Sequence, residues 1–331
     1  MVSIPLQKLL FIFTLTLHPS FILSHYHKQK IIKLHLPPSA AAPEATAFDS
    51  AGVGPYTGVD NGRVFKYVNP IVGYVEFATT SPTRPRRLCD ANTNREIAPI
   101  CGRPLGVAFY HTTGHLYIAD AYFGLVEVGP QGGIGTTISK SAGGVPYKNL
   151  NALDIDQKNG VVYFTDVSSK FQLRQFNEAL LSGDQTGRLI KYDIKKKQAT
   201  VLVHNLGVPV GVAISKHADF VLVSEYLNNR TLKFWLAGDK ANTTEIFTKF
   251  PGRPDNIKRN AKGEFWIPVT SVNGNTNRQV AWRLDEDGKL KESFDLRLVG
   301  NPIPICSEFQ EIHPRVFSLG LLNVNYSGFI Y

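Results

Sequence analysis

Short runs of alternating apolar and polar residues recur along this chain with one shared plan. The three clearest copies are GVAFYHTTGHLYIAD (106–120), ALDIDQKNGVVYFTD (152–166) and GVAISKHADFVLVSE (211–225). In each copy an alternating apolar run leads through a polar turn to a second apolar run that ends in an acid. Because side chains alternate between the two faces of a strand, each copy predicts a β-hairpin.

Related copies lie at 45–58 and 256–268, and a shorter one lies at 309–322. In several copies a further strand-like segment follows the hairpin, such as GRLIKY at 187–192. The units recur about every 45 to 60 residues, a period typical of propeller blades. The pattern therefore predicts an all-β protein: a six-bladed β-propeller with four-stranded blades around a central channel, formed by residues 44–331.

Aligning the copies identifies one equivalent position at the start of each inner strand. The residues at this position are Glu44, Leu105, Asn151, Val210, Asp255 and Glu308. The inner strands of a propeller begin near its axis, so these side chains should form a ring around one mouth of the channel. Asn256 lies beside this ring. Oxygen ligands of this kind suit Ca²⁺ or Mg²⁺ rather than zinc. The ring is interpreted either as a cation site formed by Glu44, Asn151, Asp255 and Asn256 or as polar channel residues bridged by water.

The first 24 residues differ from the rest of the chain. The apolar segment LLFIFTLTL (9–17) follows Lys8, and small or polar residues follow at 20–24. The segment is too short to span a bilayer and predicts a secretory signal peptide over 1–24, followed by a lead-in over 25–43. No later stretch is long and apolar enough to span a membrane, so a soluble mature protein is expected.

Cysteines and sequons agree with secretion. Cys89 and Cys101 bracket a polar loop that a disulfide could close, and Cys306 is left as a buried free thiol. Three sequons predict glycans on exposed loops, at Asn229, Asn242 and Asn325.

The formal net charge of +9 is not gathered on one recognisable face. The sequence contains no nucleic-acid-binding module and no basic amphipathic helix. The expected partner is a small-molecule ligand or substrate, with no nucleic acid and no membrane span, and the protein is expected to be a monomer.

Several motifs resemble the strictosidine synthase-like family of plants over nearly all of 44–331. They are CGRPLGVAF, LYIADAYFGL, VPYKNLNALDID, VYFTDVSSKF, GRLIKYD and PDNIKRNAKGEFW. The resemblance implies a six-bladed propeller, a signal peptide and a vacuolar or extracellular destination. It also implies a disulfide between Cys89 and Cys101.

Strictosidine synthases condense tryptamine with secologanin, and the resemblance places their catalytic glutamate in a His-Phe-Glu-Gln-Ile stretch. The matching stretch here is EFQEI (308–312), in which that glutamate falls on Gln310 and the histidine on Glu308. Glutamine has no titratable group and cannot act as a general base. Asn149 and Asn151 stand where these enzymes hold the indole with Trp and Tyr. Both changes argue against strictosidine formation.

The wider relatives are calcium-dependent propeller hydrolases, the paraoxonases and gluconolactonases. Their metal ligands match Glu44, Asn151, Asp255 and Asn256, whereas Val210 replaces a further Asn ligand and Leu105 replaces a catalytic His. The resemblance favours a Ca²⁺-dependent hydrolase of small esters or lactones. In this hypothesis Glu308 or Gln310 orients the substrate and Asp255 accepts a proton. The alternatives are a strictosidine synthase-type condensing enzyme and a non-catalytic, ligand-binding glycoprotein propeller.

Overall fold

The computed structural model confirms the six-bladed β-propeller. It describes residues 31–81, 83–90, 95–273, 276–299 and 305–331. Six sheets surround a central channel, and each is built mainly of four antiparallel strands. The segment assigned to the signal peptide lies outside the described residues. Within the described ranges, no helix has the length and apolar character needed to cross a membrane.

The blades are numbered in chain order, with strands given from the channel outward. Blade 1 comprises Thr46–Ala47, Tyr56–Gly58, Arg63–Asn69 and Gly73–Thr79, with Gly133–Ile134 added in parallel at its edge. Blade 2 comprises Pro104–Tyr110, His115–Asp120, Gly124–Val128 and Thr136–Ser139. Blade 3 comprises Leu150–Asp156, Val161–Asp166, Gly187–Asp193 and Gln198–Leu206. Blade 4 comprises Pro209–Ile214, Phe220–Glu225, Arg230–Trp235 and Thr244–Lys249.

The last two blades depart from this regular plan. Blade 5 has an inner strand in two pieces, Arg253–Pro254 and Lys258–Arg259, followed by Phe265–Asn273, Thr276–Leu284 and Leu290–Asp295. Blade 6 comprises Cys306–His313, Val316–Leu321, Tyr326–Ile330 and Ile32–His35. A small hairpin pairs Ser141–Ala142 with Val145–Pro146. The helices are short: Arg86–Cys89, Ala98–Cys101 and Phe176–Leu181, with 3₁₀ turns at Arg95–Ile97, Leu173–Gln175 and Leu296–Val299.

The core lies in the seams between neighbouring blades. Alternate residues of each strand point into opposite seams, which explains the period-two pattern of the sequence. Between blades 1 and 2 the ring of Tyr56 packs edge-on against Phe109, with centroids 4.7 Å apart. Between blades 5 and 6 Trp266 packs against Phe309 and Phe317. These seams hold the inner strands in place around the channel.

Blade 6 is completed by the other end of the chain. Ile32–His35 pairs antiparallel with Tyr326–Ile330, with Ile32 opposite Phe329 and His35 opposite Tyr326. The sequence pattern places these residues in the lead-in, because four residues without a following hairpin do not match the repeat. The structure shows instead that they supply the outer strand of the last blade.

Cys89 and Cys101 form a disulfide between two short helices, and Cys306 is a buried free cysteine. Asn229, Asn242 and Asn325 are exposed, as glycan attachment requires. Glycosylation at these three positions stays a prediction.

Candidate active site at the channel mouth

In several blades the inner strand is irregular at the ring position, close to where the strand begins. The strand register shifts between Pro104 and Gly106, between Leu150 and Leu153, and between Pro209 and Gly211. These shifts bracket Leu105, Asn151 and Val210. A bulge leaves a residue out of regular pairing and turns its side chain. The irregularity therefore falls where side chains must leave the sheet to line the mouth.

In blade 5 the inner strand breaks at the acid–amide pair. Asp255 donates its backbone N–H to Pro268 O at 3.0 Å, within its own blade. Asn256 instead donates its backbone N–H to Ser307 O of blade 6, also at 3.0 Å. The pair is therefore fixed at the junction of two blades.

The ring prediction brings residues from opposite ends of the chain together. Asn256 Nδ2 donates a hydrogen bond to Glu44 Oε1 at 3.0 Å, across 212 positions of sequence. Ser307 Oγ donates to the backbone oxygen of Glu44. Blade 1 therefore meets blades 5 and 6 at the mouth, as the repeat alignment predicts.

Glu44 is buried, and its second oxygen, Oε2, receives no hydrogen bond from any described residue. Burial raises the pKa of this carboxyl to about 7, and the charge of Glu308 adds to the rise. Arg103, Asn256 and Lys258 act in the opposite direction but do not cancel it. The environment therefore compensates the charge of Glu44 only in part.

Asp255 is half-buried at the same mouth. Burial raises its pKa well above the ordinary value, and the charge of Glu44 raises it further. Asp255 directly precedes Asn256, whose side chain contacts Glu44. A buried acid with a raised pKa is a common feature of functional sites.

Two asparagine side chains lie at the start of blade 3. Asn149 and Asn151 are both buried, and the Oδ1 atom of each is without a hydrogen-bond donor among the described residues. Repeat alignment predicted Asn151 at the ring. Asn149 was noted only as a replacement for an aromatic residue.

The remaining ring positions are apolar, as predicted. Val210 joins a buried cluster near the mouth that also contains Val167, Val208, Phe176, Leu180, Tyr226 and Leu227. Burial raises the pKa of Tyr226, and the charge of Asp255 adds to the rise. The mouth therefore has a polar side and an apolar side.

Glu308 occupies its predicted place, but its carboxylate is already engaged. Oε1 accepts hydrogen bonds from Thr46 N at 2.8 Å and Thr46 Oγ1 at 2.9 Å. Oε2 forms an ion pair with Lys258 Nζ at 3.0 Å. Because both oxygens have partners and the residue is buried, Glu308 is placed to hold Thr46 and Lys258. This geometry does not favour the predicted direct contact between Glu308 and substrate.

Gln310 and Glu311 point in different directions. Gln310 is half-buried, and its Oε1 lies 3.5 Å from Thr46 Oγ1, on the same side as Glu308. Glu311 Oε2 accepts hydrogen bonds from Trp266 Nε1 at 2.9 Å and Asn260 Nδ2 at 2.8 Å. Glu311 is therefore committed to the contact between blades 5 and 6 and does not replace the missing glutamate.

The oxygen atoms of these side chains are of the kind that bind a hard cation. Glu44 Oε2 and Asn151 Oδ1 are buried acceptors without hydrogen-bond donors among the described residues, and Asn256, the neighbour of Asp255, contacts Glu44. Within the part of the chain that the structure describes, no three Asp, Glu, His or Cys side chains are grouped closely enough to hold a metal. Cation binding here would therefore depend on the asparagine oxygens as well as the acids, a combination that calcium accepts.

Glycines allow neighbouring blades to approach the ring residues. A Cβ on Gly106 would lie 2.6 Å from Asn151 O, and one on Gly211 would lie 2.5 Å from Asp255 O. A Cβ on Gly320 would lie 1.9 Å from Glu44 O and 2.9 Å from Glu308 Cβ. The last of these is the closest approach, because it would overlap the backbone of the ring.

Gly320→Ala is therefore expected to lower the free energy of unfolding by about 1–3 kcal/mol, as overpacking does in a closely packed region. Urea unfolding of the purified protein measures the change. Gly129→Ala is the matched control, because a Cβ there would meet nothing within 4 Å. Equal stability of the two variants would show that blade 6 does not press against Glu44.

Comparison with known proteins agrees with the fold and the motifs. A family model described as strictosidine synthase matches residues 151–239. Strictosidine synthase-like protein 12 of Arabidopsis thaliana is 41% identical over 302 residues, covering 90% of this chain and 89% of the relative. Strictosidine synthase-like protein 10 of the same plant is 48% identical over 235 residues, 71% of this chain, but the match spans only 62% of that relative's length. Strictosidine synthase of Catharanthus roseus is 39% identical over 260 residues, 77% of this chain and 74% of the enzyme.

Solved structures show the same fold at low sequence identity. A gluconolactonase from Xanthomonas campestris superposes with a TM-score of 0.62 at 13% identity, covering 91% of this chain and 89% of the other. Regucalcin from Agrobacterium tumefaciens, described as a calcium-binding protein, has a TM-score of 0.59 at 13% identity, covering 88% and 92%.

Proposed function

The chain belongs to the strictosidine synthase-like family, and we propose that it is a hydrolase of small esters or lactones that uses a calcium ion at the channel mouth. One observation carries this proposal: Glu44 Oε2 is buried without a hydrogen-bond donor among the described residues, while Glu44 Oε1 accepts a hydrogen bond from Asn256, the neighbour of Asp255. A buried carboxylate oxygen without a partner is costly. A cation would supply the missing partner.

The proposed ligands are Glu44, Asn151, Asp255 and Asn256. A divalent cation held there would act as a Lewis acid toward an ester carbonyl. The names of the gluconolactonase and of the calcium-binding regucalcin support a lactone substrate and calcium, although their low identity to this chain shows a common fold alone.

The other residues of the mouth have distinct proposed roles. Asp255 is the proposed proton acceptor. The amide of Gln310, half-buried on the channel side, orients the substrate. Glu308 acts as a positioning residue that holds Thr46 and Lys258.

The proposal is tested by combining calcium-dependent melting with a panel of esters and lactones. Calcium is expected to raise the melting temperature of the wild-type protein, because a ligand that binds only the folded state stabilises it. Glu44→Gln and Asp255→Asn should each weaken calcium binding by about tenfold or more and lower turnover on the order of 100-fold. Glu245→Gln is the control. Glu245 lies on the outer strand of blade 4, away from the channel, and forms an ion pair with the exposed Lys240.

The proposal would be abandoned if Glu44→Gln and Asp255→Asn left both turnover and calcium-linked melting unchanged. Calcium binding without turnover on the whole panel would favour a non-catalytic, ligand-binding propeller. Product formation from tryptamine and secologanin at a substantial rate would show that Gln310 does not prevent condensation. That last assay matters because a strictosidine synthase is among the relatives.

The disulfide supports a place in the secretory pathway, since such bonds persist in oxidising compartments. We extend this to the vacuole or the cell exterior as the destination. The exposed positions of Asn229, Asn242 and Asn325 suit the glycans that this route would add.

A further inference from the structure

The face of the propeller opposite the mouth carries two surface features that the proposed active site does not use. Neighbouring strands of a blade run antiparallel, and each inner strand begins at the mouth. The turns after the first and third strands of every blade therefore lie on the opposite face, here called the far face. In blade 1 these turns are residues 48–55 and 70–72. In blade 6 the third strand ends on this face at Ile330, and the outer strand begins there at Ile32.

The first feature is a group of exposed apolar side chains on the far face of blades 6 and 1. The two blades touch there, because the rings of Phe48 and Phe329 pack edge to face with centroids 6.4 Å apart. The exposed apolar residues of the turns and strand ends around this contact, here called the apolar patch, are Ile32, Val53, Val68, Ile71, Val72 and Tyr331. Exposed apolar residues that share one region of a surface indicate an interaction site.

The turn at 70–72 holds its part of the apolar patch in a fixed conformation. Asn69 Oδ1 accepts hydrogen bonds from the backbone N–H groups of Ile71 and Val72, both at 2.9 Å. Ile71 is 96% exposed, and Val72 is also exposed. The turn therefore projects two aliphatic side chains from the fold. A projecting apolar turn suits insertion into a lipid interface better than contact with a flat protein surface.

The second feature is a group of lysines on the far face of blades 3 and 4. They come from the turns at 157–160, 194–197 and 215–219, and all are exposed: Lys158, Lys195, Lys196, Lys197 and Lys216. Asp219 is the one acid in these three turns. Lys196 pairs with Asp193 at 3.3 Å, so the positive charge of the group is offset only in part. The fold thus brings together basic residues that are separate in the sequence.

We propose that the far face is a docking surface for membranes that contain anionic phospholipids. Ile71 and Val72 enter the boundary between headgroups and acyl chains, and the lysines of blades 3 and 4 contact the anionic headgroups. Blades 3 and 4 lie across the channel from blades 6 and 1, so the two features together hold the whole face against the membrane. Lys28 and Lys30 closely precede Ile32 in the sequence and add positive charge. In this orientation the mouth faces away from the membrane and stays open to solutes.

Co-sedimentation with vesicles tests the proposal on protein purified from a secreting host. The wild-type protein should bind vesicles of phosphatidylcholine with about 30% phosphatidylserine more tightly than phosphatidylcholine alone, and added salt should weaken this binding. Ile71→Ser with Val72→Ser should weaken binding roughly tenfold or more, because burial of one aliphatic side chain contributes about that factor. Lys195→Gln with Lys216→Gln should weaken binding to the anionic vesicles roughly tenfold and reduce the effect of salt.

The matched controls change exposed residues of the same types at the mouth end of blade 3. They are Leu181→Ser and the pair Lys148→Gln with Lys170→Gln, and each should bind vesicles like the wild type. Fluorescence then reports which face meets the lipid. Emission from Ile71→Trp should shift to shorter wavelength on vesicles and be quenched by brominated phosphatidylcholine, whereas emission from Leu181→Trp should not change.

Melting curves establish that the variants fold, which is expected because the substituted side chains are exposed. Failure of the wild-type protein to bind the anionic vesicles would overturn the inference, as would equal weakening by the control variants. Vesicle binding that depends on the lysines but not on Ile71 and Val72, together with binding of polygalacturonate, would assign the lysines to a soluble polyanion instead. A dimer in analytical ultracentrifugation that Ile71→Ser with Val72→Ser dissociates, without vesicle binding, would assign the apolar patch to a second copy of the chain.

Discussion

Lys258→Met is expected to lower the free energy of unfolding by about 3–5 kcal/mol, because it leaves a buried carboxylate without its cation. Glu308 is 0% exposed, and its Oε2 lies 3.0 Å from Lys258 Nζ. Burial acts to lower the pKa of Lys258, but the charges of Glu308 and Asp154 outweigh it and raise the pKa. Lys258 therefore stays protonated in the neutral range, and urea unfolding at pH 7 measures the loss of the ion pair.

The double variant Lys258→Met with Glu308→Gln is the control. It removes both charges, so it should recover much of the stability that Lys258→Met alone loses. Calcium-linked melting should be retained in the double variant, since neither residue belongs to the proposed ligand set. If the free energy of unfolding of Lys258→Met is within about 1 kcal/mol of the wild-type value, the buried Glu308 carboxylate does not need Lys258 as its partner.

Loss of the Cys89–Cys101 disulfide is expected to cost about 3 kcal/mol of stability in the chain-entropy model. The two cysteines are 12 positions apart and are both buried beside blade 1. Their loop also carries Asp90, which pairs with the buried Arg84. Replacing both cysteines by serine should therefore lower the melting temperature and loosen the packing beside blade 1.

Differential scanning calorimetry with and without dithiothreitol measures this effect. Cys306→Ala should keep the full response to reductant, since Cys306 is the buried free thiol. The variant lacking Cys89 and Cys101 should melt at the same temperature with and without reductant. Wild-type stability in that variant would contradict the expected contribution of the bridge.

The blades were predictable because each one repeats the same local pattern. Two alternating runs around a polar turn predict a hairpin. The recurrence of this hairpin pattern along the sequence predicts a propeller. Equivalent positions in a symmetric fold share a location, which is why Glu44 and Asn256 could be expected to meet. The structure confirms that contact at 3.0 Å.

Other parts of the site follow from three-dimensional detail that a repeat does not encode. The ion pair of Lys258 with Glu308 depends on side-chain direction across two blades. A lysine two residues after Asn256 was the available signal, but in the sequence it resembles ordinary surface charge. Glu308 was expected to face substrate because alignment gives its position and not its partners. Thr46, which binds it, was not recognised in advance.

Asn149 shows a related limit. Its replacement of an aromatic residue was visible in the motif, but its burial and unused oxygen were not. Only the folded structure shows that this atom is buried and lacks a hydrogen-bond donor among the described residues. The sequence therefore shows that the residue type has changed, but not that the amide oxygen is buried.

The pairing of Ile32–His35 with Tyr326–Ile330 has a consequence for synthesis of the protein. A nascent chain can assemble the sheets of its earlier blades as they leave the ribosome, but the circle stays open until the segment at 326–330 has emerged. Glu44 is made early and Glu308 late, so their shared neighbourhood forms only at this final step. Formation of the mouth thus depends on segments far apart in the sequence rather than on the folding of any single blade.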